Sequence, residues 1–165
     1  MQSHNEEPSV SSPDAESVDH QDPAQAERHD ATEPTDGTEL SASSEARKLA
    51  IAIAAAGFDK KASGIEIIDV TGKVDYAEVL VLMTGRSDRH VHAIAKGVQA
   101  DIKKDRGIAP LSVEGLTAAS WVLIDFNDVV VHVFQQNARL FYDLEGLWID
   151  AGRISVPSPP ERNKS

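Results

Sequence analysis

Residues able to bind a metal or attack a substrate are few in this chain, and their spacing argues against catalysis. The absence of cysteine excludes disulfides, thiolate metal sites and a cysteine nucleophile. His90 and His92 stand two residues apart in a segment predicted to be helical, so their side chains point in different directions and cannot hold one ion together. His132 fits a hydrogen-bonded strand histidine beside Asp125 better than a catalytic base. We therefore predict no metal site and no cofactor.

Patterns of well-known active sites are also missing. No serine stands in a nucleophile elbow, and the segment 85–87 (Gly-Arg-Ser) is too short to cradle a phosphate. Asp125 and Asp128 come nearest to the paired carboxylates of a two-metal enzyme, but a predicted hairpin separates them. The sequence thus predicts no catalytic residue and a protein that is not an enzyme. One alternative stays open, a divergent nucleotidyltransferase that uses Asp125 with Glu114 or Asp128.

The two strands around that hairpin can be assigned residue by residue. Segments 121–126 and 129–134 flank Asn127-Asp128, a favoured composition for a two-residue hairpin loop. A tight loop pairs Ile124 with Val131, and the two-residue period of a strand then assigns each side chain to one face of the sheet. One face is wholly apolar and is expected to pack against helices. It consists of Val122, Ile124, Phe126, Val129, Val131 and Val133.

The opposite face of the hairpin mixes aromatic, apolar and polar side chains. It consists of Trp121, Leu123, Asp125, Val130, His132 and Phe134. Such a face is too apolar for a solvated surface and too polar for a second layer of core. Aromatic anchors with a few polar groups are typical of the residues that dominate binding between proteins. Two interpretations stay open: burial, under the last helix or in a homodimer, and docking of another macromolecule.

The elements that must position these strands predict an α/β domain over residues 43–154. Hydrophobic periodicity, caps and turn residues define them. In chain order they are a helix begun at Ser43 or Ser44 and ended by Gly57, strands at 65–70 and 79–83, a helix from Ser87 to Arg106, an edge strand at 110–113, the hairpin, and a helix over 137–148 with Leu140, Leu144 and Leu147 inward. Together they predict a mixed sheet of about five strands with helices mainly on one face.

Acidic residues are concentrated at the start of the chain. Residues 1–42 hold eleven of the 27 acidic residues and one of the 16 basic residues, and they contain no aromatic residue. A segment of this composition buries too little apolar surface to offset the entropy of ordering, so we predict a disordered tail. The proline-rich residues 155–165 predict a second tail. The acidic tail is either a solubilising extension or an electrostatic arm.

Charge and hydropathy also exclude several classes of partner. The domain has almost equal numbers of acidic and basic residues, and its aromatic residues do not alternate with lysine or arginine, which argues against direct, sequence-specific nucleic-acid binding. No apolar run is long enough to span a membrane, and the first residues resemble neither a signal nor a transit peptide. We therefore expect a cytoplasmic protein.

Four ordered motifs at matching spacing resemble the ribosomal silencing factor family (RsfS, Iojap-related). The resemblance covers about residues 43–152. The motifs are Thr84 to Val91, Val113 to Gly115, the hairpin strands 121–126 and 128–134, and the pattern Arg139-x-x-Tyr142-Asp143-Leu144-Glu145-x-x-Trp148.

The resemblance implies both a fold and a function. The fold would be similar to that of nucleotidyltransferases, without their catalytic carboxylates. The protein would bind the large ribosomal subunit through large-subunit ribosomal protein fourteen at the intersubunit face, block joining of the small subunit sterically, and lower translation when nutrients are scarce. Members of the family also accompany maturation of the large subunit.

Combined with the hairpin, the resemblance predicts the contact residues. The mixed face would dock on the partner, with Trp121 and Phe134 as anchors and Asp125 meeting a basic group. Arg139 and Tyr142 would border it. The predicted docking residues are Trp121, Leu123, Asp125, Val130, His132, Phe134, Arg139 and Tyr142.

Overall fold

The structure, a computed structural model, describes residues 40–158 as a single mixed sheet with helices on both faces. In chain order the elements are α1 (Ser44–Asp59), β1 (Ser63–Asp69), β2 (Val79–Gly85), α2 (Asp88–Arg106), β3 (Ser112–Glu114), β4 (Trp121–Asp125), β5 (Val129–Gln135), α3 (Gln136–Tyr142), α4 (Leu144–Leu147) and β6 (Gly152–Ile154). The predicted α/β class with a mixed sheet is confirmed. The predicted tails, 1–42 and 155–165, lie outside the described residues except at 40–42 and 155–158.

The sheet has six strands, so the prediction of five is wrong. Their order is β3-β4-β5-β2-β1-β6, in which β2 and β5 are parallel and the other neighbours are antiparallel. The missed strand, β6, pairs with β1 at the sheet edge, where Ile67 lies opposite Ile154. With only three residues, two of them exposed, β6 is too short to show a two-residue pattern.

α1 begins where its cap predicts but runs beyond its predicted end. The Ser43 hydroxyl accepts a hydrogen bond from the Ala46 N–H at 3.2 Å. Gly57, predicted to stop the helix, lies inside it, because its role is to permit close packing rather than to end the helix. A Cβ atom at Gly57 would lie 2.8 Å from Cε of Met83, so glycine lets α1 approach β2.

α2 agrees with its prediction at both ends. The Ser87 hydroxyl accepts from the His90 N–H at 3.1 Å, and Gly107 takes the left-handed conformation after the last residue, with φ of 69°. Val91, Ala95, Val98 and Ile102 share one face of α2 and are buried. None of the helices within residues 40–158 combines the length and the apolarity that a bilayer crossing requires.

Both long helices cover the face of the sheet that the hairpin pattern predicted. The register is as expected, with Ile124 opposite Val131 and Val122 opposite Val133. This apolar face, called the first face below, forms the main core with α1 and α2. The central strand β2 is buried along its whole length. Its side chains alternate, so Val79, Val81 and Met83 join this core, while Leu80 and Leu82 face the other side of the sheet.

The end of the chain differs most from its prediction. The predicted helix over 137–148 is two helices, because Asp143 adopts a left-handed conformation with φ of 46°. Its N–H donates to the Arg139 carbonyl and ends α3, while its carboxylate accepts from the Gly146 N–H and caps α4. Of the three leucines predicted inward, Leu144 is buried, but Leu140 and Leu147 are exposed, so their prediction is wrong. α3 and α4 lie on the opposite face of the sheet, called the second face below. There they cover Leu80, Leu82, Val130 and Phe134.

Candidate docking surface

The two histidines of α2 have different surroundings. Nδ1 of His90 accepts the Arg86 N–H at 2.9 Å, so Nε2 carries the proton and donates to the Lys60 carbonyl at 2.8 Å. Nδ1 of His90 therefore holds the residues just before α2, and Nε2 links the start of α2 to the end of α1. His92 is exposed on the outer side of α2. Within residues 40–158, no group of three histidine or carboxylate side chains is placed to hold a metal ion.

Two of the three carboxylates considered for an enzyme, Asp125 and Asp128, serve the hairpin turn instead. Oδ1 of Asp125 accepts from the Asn127 N–H at 2.7 Å, and Asn127 has a positive φ of 78°. This hydrogen bond is the kind by which aspartate closes its own turn. Asp128 contacts the Asn127 side chain within the same turn. Glu114 lies opposite Leu123 on the edge strand β3.

The structure divides the predicted docking residues by depth. On the second face, Val130, His132 and Phe134 are buried, with Phe134 fully enclosed. The neighbouring strand β4 lies nearer the solvent, and Trp121, Leu123 and Asp125 are each half-buried. An outside partner can therefore contact the β4 residues directly, while the β5 residues form the layer beneath them.

Trp121 connects the half-buried residues of β4 with the buried residues of β5. Its ring stacks on Phe134 with centroids 5.1 Å apart, and Tyr142 from α3 lies 4.5 Å away on centroids. The edge of Phe141 meets Tyr142 at 5.1 Å. Phe141 is 80% exposed and Tyr142 51% exposed. These rings form a continuous aromatic path from the buried sheet to the solvent.

His132 sets the orientation of the indole. Nε1 of Trp121 donates to Nδ1 of His132 at 3.0 Å, which requires the neutral ring with its proton on Nε2. Burial lowers the pKa of His132 from 6.5 to about 4, because the charged imidazolium would lose its hydration. His132 is the hydrogen-bonded strand histidine that the sequence predicts, but its partner is Trp121 rather than Asp125.

Arg139 lies behind this surface and holds α3 and α4 against the sheet. Its guanidinium donates to the Gly64 carbonyl, to Oγ1 of Thr84 at 2.8 Å, and to the carboxylates of Glu66 and Glu145. Its side chain is only 11% exposed. Arg139 was predicted to border the docking face; in the structure its charge is turned inward, and the residues it links fix the segment that carries Tyr142.

Sequence reasoning missed part of the exposed apolar surface near these rings. Leu140, Phe141, Leu147 and Ile149 expose between 44% and 80% of their surface. A signal was available, because three consecutive large apolar residues at 140–142 cannot all face one side of a helix. At least one of them must point to the solvent.

Comparison with known proteins gives the same identification as the motifs. Residues 43–165 match the family described as "Ribosomal silencing factor during starvation". A Bacillus subtilis protein named ribosomal silencing factor RsfS is 43% identical over 98 residues, which cover 59% of this chain and 82% of that protein. A Mus musculus protein named mitochondrial assembly of ribosomal large subunit protein 1 is 32% identical over 91 residues, which cover 54% of this chain and 40% of that protein.

A solved structure supports the fold. The crystal structure of a Chromobacterium violaceum protein aligns with a TM-score of 0.58 at 34% identity, and the alignment covers 73% of this chain and 97% of that protein. The family and this relative are named for ribosomal silencing, which is a regulatory role rather than an enzymatic one. The family match spans most of the chain, and this chain therefore belongs to the ribosomal silencing factor family.

Proposed function

We propose that this ribosomal silencing factor binds the large ribosomal subunit through large-subunit ribosomal protein fourteen and blocks joining of the small subunit sterically. The family role supports silencing, and the name of the mouse relative supports a large-subunit partner. Nutrient limitation is the condition under which we expect the repression. The likeness to nucleotidyltransferases that the motifs implied stays a prediction.

One observation carries the proposal: the aromatic path that reaches from the sheet to the solvent. We define the docking surface by Trp121, Leu123, Asp125, Phe141 and Tyr142. Its rings are large, in mutual contact and partly exposed, as interface hot spots require. An exposed apolar patch on a folded protein also calls for a partner to cover it. Val130, His132 and Phe134 support the surface from below, and Arg139 supports it from behind.

The charge near the docking surface fits a basic partner. Residues 62–85 and 107–158, which exclude both long helices, hold ten acidic and three basic residues. Asp125 lies on the docking surface itself, and Asp143 and Asp150 are exposed in the neighbouring segment. A negative rim beside aromatic anchors would speed encounter with a positively charged protein and disfavour an acidic one.

Steric exclusion needs no chemistry. Subunit joining is a binding equilibrium, so a factor that occupies one side of the contact lowers the extent of joining. A standard protein interface buries roughly 1,600 Å² in total, which a domain of this size can supply. This mechanism requires only that the docking surface remain accessible in the free protein.

The test measures how variants of the chain bind purified ribosomal subunits. The variants replace exposed aromatic residues, whose loss leaves the core intact. We expect the wild-type chain to sediment with large subunits and to reduce their pairing with small subunits. Replacing both Phe141 and Tyr142 by alanine should weaken large-subunit binding at least about tenfold, since hot-spot truncation typically costs about 2 kcal/mol. Ile51→Ala is the matched control, because Ile51 is also apolar and exposed but lies in α1, which covers the opposite face of the sheet.

Two outcomes would contradict the proposal. Equal binding by the double variant and the control would show that the aromatic path does not contact the subunit. Analytical ultracentrifugation addresses the competing homodimer: if Trp121→Ala abolished a dimer and left large-subunit binding intact, the surface would serve self-association instead.

A further inference from the structure

Charge is divided unevenly between the two long helices and the rest of the described domain. The long helices with their adjoining residues, 44–61 and 86–106, hold ten basic and five acidic residues. The remaining described parts of the domain hold three basic and ten acidic residues. The near-neutral total therefore combines a basic helical layer on the first face with an acidic remainder that includes the docking surface.

The basic residues of α2 line up along its outer side. Arg89, Lys96 and Lys103 are each seven residues apart, which is close to two helical turns, so they project in nearly the same direction. At a rise of 1.5 Å per residue they span about 21 Å. His92 and Lys104 lie next to this line, and all five side chains are exposed. We call these five residues the basic crest.

Two of the three acidic residues of α2 point away from the crest, and the third, Asp88, lies at the end of the crest beside Arg89. Asp101 and Asp105 face α1, where they line a cavity together with Asp59 and Arg106. The ion pairs found within residues 40–158 use Arg47, Lys48 and Arg139, and none uses a residue of the crest. The crest is thus a row of solvated cations in a protein whose formal net charge is -11.

The crest also offers room for a chain to lie along it. Ala93 and Ala100 are exposed and lie among the basic residues on the same outer side of the helix. Their small side chains leave gaps between the cations, so a polymer backbone can approach the helix surface. At one end, Arg89 and His92 line a shallow cavity together with Asp88, Leu116, Thr117 and Ala119.

We propose that the basic crest binds the phosphodiester backbone of RNA without reading its base sequence. The inference rests on the proposed function, since docking on a ribosomal subunit places RNA near the protein. The crest and the docking surface lie on opposite sides of the sheet, so one molecule can engage a protein and an RNA segment at once. Contacts to phosphate position a protein on RNA but carry no sequence information, which agrees with the predicted lack of sequence-specific binding.

RNA fits the crest better than the acidic segment of this chain does. Residues 1–42 carry eleven acidic residues, about one in four, whereas RNA carries one negative charge per nucleotide. A line of cations over about 21 Å is matched best by the denser and more regular polyanion. The acidic segment is the competing occupant of the crest, and the test below distinguishes it from RNA.

Fluorescence anisotropy of the full chain with a labelled oligouridylate of roughly 20 nucleotides tests the crest directly. We expect binding at about 50 mM salt. A plot of log affinity against log salt concentration should have a slope of roughly -3, as four phosphate contacts predict. Lys96→Glu and Lys103→Glu should each weaken binding at least about fivefold and make the slope shallower by about one. Lys73→Glu is the matched control: it changes the net charge equally, but Lys73 is exposed in the loop between β1 and β2.

Three results would overturn the proposal. The first is no binding at low salt. The second is an equal loss in Lys73→Glu, which would show that only the net charge matters. The third combines two findings: carbodiimide couples Lys96 or Lys103 to carboxylates of residues 1–39, and the chain does not bind RNA. Together they would show that the acidic segment occupies the crest. The Phe141 and Tyr142 double alanine variant separates the two proposals, because it should lose the subunit and still bind the oligouridylate.

Discussion

A buried polar side chain determines how an exposed aromatic ring is presented on this protein. Trp121 reaches the solvent, but its indole N–H is held by His132, which is 3% exposed. The acceptor nitrogen exists only in the neutral ring, so orientation of the tryptophan depends on His132 staying unprotonated. Its lowered pKa ensures this at physiological pH.

The same histidine predicts how stability changes with pH. Its pKa is about 4 in the folded chain and near 6.5 when unfolded, so the unfolded state binds more protons between these values. Stability should therefore fall as pH decreases from 6.5 towards 4, by about 3 kcal/mol in all. Urea unfolding of wild type and His132→Gln at several pH values measures this, since glutamine can still accept from the indole but does not titrate. Parallel curves for the two proteins would contradict the prediction.

Among the elements, the pair α3 and α4 depends most on one residue. The two helices have seven and four residues, too short to be stable alone. Arg139 links them to β1 through Gly64 and Glu66 and to β2 through Thr84. Because these partners are far apart in sequence, a single guanidinium aligns the segment that carries Phe141 and Tyr142 with the rest of the sheet.

Arg139→Lys tests this positioning role. Lysine keeps the charge but lacks the planar group that donates in several directions, so several hydrogen bonds should be lost. We expect a loss of about 1–3 kcal/mol in the free energy of unfolding and faster hydrogen exchange across 136–147. Arg153→Lys is the control, because the hydrogen bonds that Arg153 donates within residues 40–158 go to carbonyls of its own segment. Unchanged exchange in Arg139→Lys would show that packing alone holds the two helices.

At the scale of the whole molecule, the acidic segment joins the domain at a well-anchored point. The Ala42 N–H donates to Asp69 at 2.9 Å, and Ser43 donates to Glu78 through its N–H and its hydroxyl. Burial alone would raise the pKa of Asp69, but the hydrogen bonds from Ala42 and Thr71 and the nearby Arg47 guanidinium hold it below its usual 3.8. A deletion that keeps Leu40 therefore preserves this anchor.

Deleting residues 1–39 tests whether the acidic segment steers association. These residues carry eleven negative charges and one positive charge. If they attract a basic partner, their removal should slow binding to large subunits several-fold at low salt, and the difference should vanish near 1 M salt, where screening acts within about 3 Å. Stopped-flow mixing with labelled large subunits measures both effects. An association rate that is the same with and without the segment at every salt concentration would dispose of the idea.

Local chemistry determined much of this protein from its sequence alone. Caps at Ser43, Ser87 and Gly107 act within a few residues, and the hairpin register follows from a two-residue loop and a two-residue period. The same holds for the family motifs, which are short and ordered along the chain. These features were predictable because every group that decides them is close in sequence.

Other features depended on groups that meet only in the folded chain. The glycine at position 57 lets α1 approach Met83, and β6 forms by pairing with the edge of β1. The docking surface follows the same rule. The two-residue period placed Trp121, His132 and Phe134 on one face, but only the turn at Asp143, which lays α3 and α4 over that face, decided which rings were covered and which stayed exposed. Burial is a property of the assembled layers, so no pattern within one strand could supply it.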